Sequence, residues 1–193
     1  NHFDDFTIFD ALDAPGGTWR LHTYPGLACD VWAHSYTFSY APNPDWTASF
    51  VDQPEIQAYL ARCATQFGLD PHFRFNTRIT SGHYRQGGTW QLRTADGEQF
   101  EFDVVINAMG NQHTPQYPDV KGMDLFQGDS WHGTRWNHDV DLRGKRVADG
   151  IGRRAIFRVP FACPPVQRKQ LIGLFIRKAR FKDVGEEMVV AIP

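Results

Sequence analysis

Phe6-Thr7-Ile8-Phe9-Asp10, running into Ala11-Leu12-Asp13-Ala14-Pro15-Gly16-Gly17-Thr18-Trp19-Arg20, points to an α/β chain. It opens as a short apolar, β-prone run that stops at an acid. A turn-rich loop follows, carrying Pro15 and two adjacent glycines. An acid at the C-terminal end of a strand in a dinucleotide-binding sheet accepts hydrogen bonds from an adenosine ribose. The same acid can instead cap the turn after it, so Asp10 alone leaves both readings open. Gly16 and Gly17 let the backbone approach a ligand closely, and Thr18 and Trp19 add a hydroxyl and an indole. Taken alone, that run is equally a glycine turn beside a buried tryptophan.

Outward from this stretch, residues 20–53 show little periodicity and many aromatics and prolines. They read as a long ordered loop with short helical pieces, a type of segment that often carries function. The clearest helix is predicted from Pro54 to about Phe67. Pro54 suits a first turn, Glu55 complements the helix dipole and Gly68 is a natural stop. Ile56, Tyr59, Leu60, Cys63 and Phe67 recur at helical spacing and define one apolar face. Strand-like segments follow at about 73–80, 89–94 and 98–102, the last two forming a hairpin across Ala95-Asp96-Gly97. Val104-Val105-Ile106 reads as a buried strand leading into Ala108-Met109-Gly110. Residues 111–142 are punctuated by proline and glycine and read as an interdomain linker, and Arg143–Ala148 as the entry to another strand. This order is that of a nucleotide-binding α/β domain with a doubly wound sheet and a small antiparallel insertion.

Bulk properties are those of a soluble globular chain: 193 residues, 41% hydrophobic and 22% charged, with 14% aromatic residues. No stretch approaches the ~20 apolar residues that cross a bilayer. Three widely spaced cysteines (Cys29, Cys63, Cys163) indicate neither a disulfide framework nor a zinc site, so no metal is expected and a reducing cytoplasm is the expected compartment. The first residue is Asn1 rather than Met, which reads as a start that is not the natural one. Charge is uneven: residues 1–149 carry 11 Lys/Arg against 19 Asp/Glu, and residues 150–193 carry 9 against 3. A basic arm for nucleic acid is one reading of that switch. Its arginines, however, are interrupted by proline and apolar residues and form no helical face, so no nucleic-acid partner is expected.

A second motif lies downstream, Phe126-x-Gly128-x-x-x-His132-x-x-x-Trp136. It joins an ordered series: Gly16-Gly17-Thr18-Trp19-Arg20, Tyr24-Pro25-Gly26, Cys29-Asp30 with Tyr36 six residues after the acid, SYAPNPDW at 39–46, QPEIQAYL at 53–60 and DVVINAMG at 103–110. Over about 120 residues this series resembles the flavin-dependent monooxygenases of the Baeyer–Villiger type. The resemblance implies a partial FAD-binding Rossmann-like domain over residues 1–110, with a small antiparallel β insertion. It further implies a linker with the fingerprint over 111–142 and an incomplete second, NADP-binding domain from 143 to 193 that ends in an atypical basic tail. It makes Asp10 the ribose-binding acid, and it makes Gly17, Thr18, Trp19, Asp30 and Tyr36 FAD contacts. Ile79 becomes the place where a backbone group meets the adenine. Ala28, Cys29 and Asp30 would border the NADP site, and Ala108-Met109-Gly110 would occupy the family's Ala-Thr-Gly turn. His132 carries a conformational role in the fingerprint rather than proton transfer. The activity implied is the use of NADPH and O2 to insert one oxygen atom into a small organic substrate, ketone to ester, with the hard chemistry carried by FAD. The alternative is a non-catalytic remnant that does not retain flavin. No oligomeric state is implied.

Several features depart from the family pattern. Asn137 follows Trp136 where Pro or Asp is usual, and Met109 replaces Thr. The family's first Gly-x-Gly-x-x-Gly loop precedes the ribose acid by about 20 residues, whereas nine residues precede Asp10 here. The chain is therefore expected to be a fragment with weakened flavin affinity. After residue 148 the resemblance fades. Gly150-Ile151-Gly152-Arg153-Arg154-Ala155 fits Gly-x-Gly-x-x-Ala one position early, and Pro160, Pro164 and Pro165 interrupt any crossover helix. The abrupt change reads as a shift of reading frame or a truncated gene. No residue matches the family's catalytic arginine.

Overall fold

The computed structural model describes residues 5–117, 123–151, 154–156 and 187–192. Most of the basic tail, with Cys163, the three prolines named above, Arg153 and Arg158, lies outside the described residues. The chain divides into two compact units, one of Asn1–Leu21 with Ala28–Asn111, the other of His22–Leu27 with Gln112–Pro193.

In the first unit, β1 (Ile8–Phe9) pairs in parallel with β2 (Phe73–Arg74), Ile8 opposite Phe73 and Phe9 opposite Arg74. The pairing runs past the strand ends. Asp10 N–H donates to Arg74 O at 3.1 Å, and the amides of Asn76 and Thr77 donate to the carbonyls of Leu12 and Asp10 at 2.8 and 2.9 Å. Asn76 turns the chain with φ 55, a conformation asparagine tolerates better than most residues. The predicted strand at 73–80 is therefore two strands, β2 and then β3 (Ile79–Arg85). With β4 (Thr89–Thr94) and β5 (Gln99–Phe102), β3 forms an antiparallel sheet of order β3-β4-β5, the expected small insertion. Trp90 faces Phe102, and Leu92 faces Phe100. The insertion packs on β1 through the Phe9 ring, whose centroid lies 5.1 Å from Phe100 and 5.9 Å from Phe102.

The main helix, α2 (Gln53–Gln66), follows a four-residue turn of helix, α1 (Thr18–Leu21), and lies within a residue of the range read from its spacing. It stops where Gly68 adopts φ 67 and Leu69 N–H reaches back to Ala64 O at 2.9 Å. Ile56, Tyr59 and Cys63 are buried in one core with Cys29, Ala33, Ala41, Trp46 and Val51, and Leu60 packs at its margin. Phe67 is not part of it. As the C-cap residue it leaves the helical face, 44% exposed and edge-on to Tyr40. The long loop wraps this core: Ala28 bridges Asp52, Cys29 N–H donates to Val51 O at 2.9 Å, and Ala33 N–H donates to Ser49 O at 2.8 Å.

One expected strand is absent. Val104-Val105-Ile106 is neither a strand nor buried, with Val104 74% and Ile106 87% exposed. An apolar run becomes a buried strand only when a neighbour pairs its backbone and both faces are covered, and no described residue does either.

In the second unit, β6 (Ser130–His132), β7 (Arg146–Ile151), β8 (Arg154–Ile156) and β9 (Glu187–Ile192) form a sheet of order β6-β9-β7-β8. Every pairing in it is antiparallel. A βαβ unit requires parallel neighbours, so these strands differ from the start of a doubly wound domain, and β9 has no counterpart in the sequence reading. Trp131 and Leu142 form the core here, flanked by Trp136, Val140 and Val147. Residues read as linker thus carry the core of this unit.

Candidate functional site

The double glycine adopts φ values of +134 at Gly16 and +53 at Gly17, the first closed to nearly all side chains. A Cβ on Gly16 would also sit 3.3 Å from Gln57 Cγ. The carbonyls of Gly16 and Gly17 accept the amides of Trp19, Arg20 and Leu21 at 2.9–3.0 Å, which starts α1. Trp19, half-buried at the margin of the core, donates its indole Nε1–H to Tyr36 Oη at 2.9 Å. The two rings meet edge to face, with centroids 5.7 Å apart at 79°. Arg20 Nε donates to Asp13 Oδ1 at 2.8 Å as part of a forked ion pair, and holds that carboxyl below the usual carboxylate range. From α2, Gln53 Nε2 donates to Trp19 O, and Gln57 Nε2 donates to Pro15 O at 3.3 Å. The loop is therefore held from three sides, and its Thr18 and Trp19 are fixed in space.

The other site residues fall around this loop unevenly. Ala28 and Cys29 lie on the bridge to Asp52 and Val51, beside the first turn of α2. The Cys29 side chain is buried in the core, so only its backbone is offered outward. Asp30, next in line, is exposed. Asp10 is half-buried, and its Oδ1 accepts Leu12 N–H at 2.9 Å. The turn-capping reading is thus realised by one oxygen, and Oδ2 is left without a protein donor among the described residues. Through Thr77, Asp10 is tied to the segment that enters β3 at Ile79, so these two candidates share one end of the unit. Ile79 pairs with Thr94 at a bulge, where Thr80 Oγ1 turns back to the carbonyls of Arg93 and Thr94 at 3.1 and 3.3 Å. Ala108 and Gly110 are exposed, Gly110 with φ 69, and Asn107 Oδ1 accepts Met109 N–H at 3.1 Å.

His132 belongs to the second unit, buried at 3% exposure at the end of β6. Its Nδ1 accepts Thr134 N–H at 3.1 Å and so caps the short 3-10 turn Gly133–Arg135. A ring used this way is neutral, with its proton on Nε2. Tyr117 meets it edge-on at 5.5 Å. Nearby, His22 is buried and donates Nε2–H to Gln112 O at 3.0 Å, while Thr23 Oγ1 and His138 Nε2 are 2.7 Å apart. The sequence reading missed His22. A histidine in a loop gives no periodic signal, and its partner is 90 residues away. Burial holds the His22 pKa below its ordinary 6.5, with the charge of Arg135 adding to the lowering and the Gln112 carbonyl pulling the other way. The unfolded chain therefore takes up a proton near pH 6.5 that the folded chain refuses. Stability of this unit is full above pH 6.5, falls as the pH drops below it, and levels off once folded His22 itself titrates. Urea unfolding at pH 7.5 and 5.5 is expected to show that loss, and His22→Gln, which keeps a donor without the titration, is expected to flatten it. An identical slope in the variant would remove His22 as the cause.

Among the described residues, no group of three or more His, Cys, Asp or Glu is placed to hold a metal ion, and no helix is long and apolar enough to cross a membrane. What the first unit offers is a rigid glycine–aromatic loop, open backbone groups and a half-engaged acid. Such a set has the chemistry to hold a planar, polar-edged ligand.

Residues 13–156 match the model of the flavin-binding monooxygenase-like family. A Baeyer-Villiger monooxygenase of Pseudomonas aeruginosa is 44% identical over 165 residues, 84% of this chain and 31% of its own length. Another, of Streptomyces coelicolor, is 43% identical over 169 residues, 86% and 32% of the two chains. The chain thus spans about a third of the length of the curated relatives it matches. Among solved structures, a steroid monooxygenase bound to NADP superposes with a TM-score of 0.64 at 37% identity, covering 72% of this chain and 28% of that one. An open form of cyclohexanone monooxygenase superposes with a TM-score of 0.63 at 34% identity over the same shares.

Proposed function

Because the chain belongs to the flavin-binding monooxygenase-like family, we propose that it forms the FAD-facing part of an NADPH-dependent monooxygenase. The reaction is insertion of one oxygen atom from O2 into a small organic substrate, ketone to ester. The observation that carries this reading is the Gly16–Trp19 loop, rigid without a ligand and ending in an indole locked to Tyr36. When bound, FAD reduced by NADPH supplies the oxygen-transfer chemistry. The protein's own residues bind and orient.

The residues present fit that group. Asp10 Oδ2 is an acceptor suited to a ribose hydroxyl. Gly17 has no atom within 4 Å of where a Cβ would stand, so a ligand can approach its backbone. Thr18, Trp19, Asp30 and Tyr36 face the flavin in this reading. The Ile79 backbone meets the adenine, and Ala108 and Gly110 close the turn beyond it. The backbone of Ala28 and Cys29 with Asp30 borders NADPH, since the Cys29 thiol points into the core. His132 acts by conformation: it holds the 3-10 turn of the fingerprint segment, and its neutral, capping Nδ1 is not poised to take a proton. Cys29 and Cys63 are free, buried thiols, which suits the reducing cytoplasm.

The test is flavin uptake by the purified chain, followed by visible absorption and equilibrium titration. Wild type is expected to take up FAD. Trp19→Ala and Asp30→Ala are each expected to weaken it about tenfold, the equivalent of roughly 1.4 kcal/mol. A chain that stays colourless in excess FAD is the non-catalytic alternative. Undiminished uptake in both variants would overturn the site assignment.

A further inference from the structure

Gln53 and Gln57 stand one turn apart on the same face of α2, and both side-chain amides point at main-chain carbonyls of the glycine loop. Gln53 takes the carbonyl of Trp19, which the four-residue α1 leaves without a helical partner, and Gln57 takes that of Pro15. The two acceptors bracket Gly16-Gly17-Thr18. The aliphatic stem of Gln57 also lies against Gly16, where even a methyl group would be crowded at 3.3 Å. On the far side, Tyr36 Oη takes the Trp19 indole at 2.9 Å. Main chain and ring of Trp19 are therefore fixed by separate partners, and the glutamines act together with the Trp19 N–H to Gly16 O bond in setting where its Cα lies.

We propose that Gln53 and Gln57 are positioning residues for the cofactor loop. By fixing the main chain from Pro15 to Trp19 they hold the indole in its binding orientation before the ligand arrives. The proposal rests on the reading that this loop contacts FAD. Its physical basis is preorganisation: a loop already ordered in the free protein does not lose that entropy on binding. The amide NH2 serves as an uncharged donor of the right length. A carboxylate would repel the carbonyls, and an isosteric thioether donates nothing.

The experiment uses the full chain, with indole 15N labels and the Trp19 resonance assigned through Trp19→Phe. Gln53→Met and Gln57→Met keep length and helix propensity and lose only the donor. In the absence of flavin, the Trp19 indole signal is expected to shift or broaden in each variant, while those of Trp46 and Trp131 stay in place. Titration with FAD is then expected to show affinity about three- to tenfold weaker for each variant, the net worth of one hydrogen bond. Should Gln53→Met fail to fold, Gln57→Met carries the same test through the weaker contact. An unmoved Trp19 signal in the double variant overturns the positioning role whatever FAD does. Equal FAD affinity in wild type and double variant overturns its link to binding. No FAD uptake even by wild type overturns instead the cofactor reading beneath it.

Discussion

Ile56→Ala is expected to destabilise the first unit by about 4 kcal/mol, in the upper half of the range for aliphatic truncations to alanine in a core. Ile56 has no solvent exposure and lies among Val51, Tyr59, Cys63, Cys29, Ala33, Ala41 and Trp46. Whether such a site can collapse around a lost side chain decides the cost. Here it cannot easily do so. Four neighbours, Cys29, Ala33, Ala41 and Cys63, are already small, and the loop that could sag inward is tied at Cys29–Val51, Ala33–Ser49 and Ala28–Asp52. Ile56→Val, which removes one methylene, is expected to cost about 1 kcal/mol. Urea unfolding followed by circular dichroism separates the two, as a shift of roughly 2 M against roughly 0.5 M for a slope near 2 kcal/mol/M. A loss below about 1 kcal/mol for the alanine variant would contradict the close packing of this core.

The same residues explain what was legible in the sequence. The helix was readable because Pro54, Glu55 and Gly68 are local signals and its apolar spacing is set by the helix itself. Only Phe67 was misplaced, since the chain leaves helical geometry at its cap. The hairpin of β4 and β5 was readable from Ala95-Asp96-Gly97 for the same reason. Val104-Val105-Ile106 failed because burial of a strand is a property of its neighbours, which a run of valines and isoleucines cannot supply. Asn76 broke the segment at 73–80 through a single left-handed residue that carries no periodic signal.

The candidate site divides along similar lines. Glycines and a tryptophan at 16–19 flagged the loop, yet nothing in their spacing showed that Trp19 Nε1 would find Tyr36, or that α2 would reach back through Gln53 and Gln57. Cys29 illustrates the converse. Its position in the series marked it as a border residue, while its side chain faces the core because its backbone pairs with Val51. Residue type is visible in sequence, but which way a loop residue faces depends on pairings with distant segments.

Tyr59→Phe is expected to cost about 2–3 kcal/mol although it removes a single oxygen, because two main-chain groups lose their partner together. Tyr59 Oη accepts Phe38 N–H and donates to Ala41 O, both at 2.8 Å, and so closes the turn in which Ala41 N–H also returns to Phe38 O at 3.0 Å. Burial pushes the phenol above its usual range, so it keeps the proton it donates. The ring of phenylalanine would retain the packing on Trp46 at 5.2 Å and Phe38 at 6.0 Å, which isolates the hydrogen bonds as the cause. Only Thr37 separates the turn from Tyr36, the residue that holds the Trp19 indole, so loosening the turn reaches the glycine loop through that ring. Amide exchange at Phe38, which loses its acceptor, is therefore expected to accelerate by more than the roughly 30- to 150-fold that a global loss of about 2–3 kcal/mol gives the interior amides of α2. Equal protection of Phe38 in the variant would mean that water replaces the phenol at no cost, and that the turn is held by its own backbone alone.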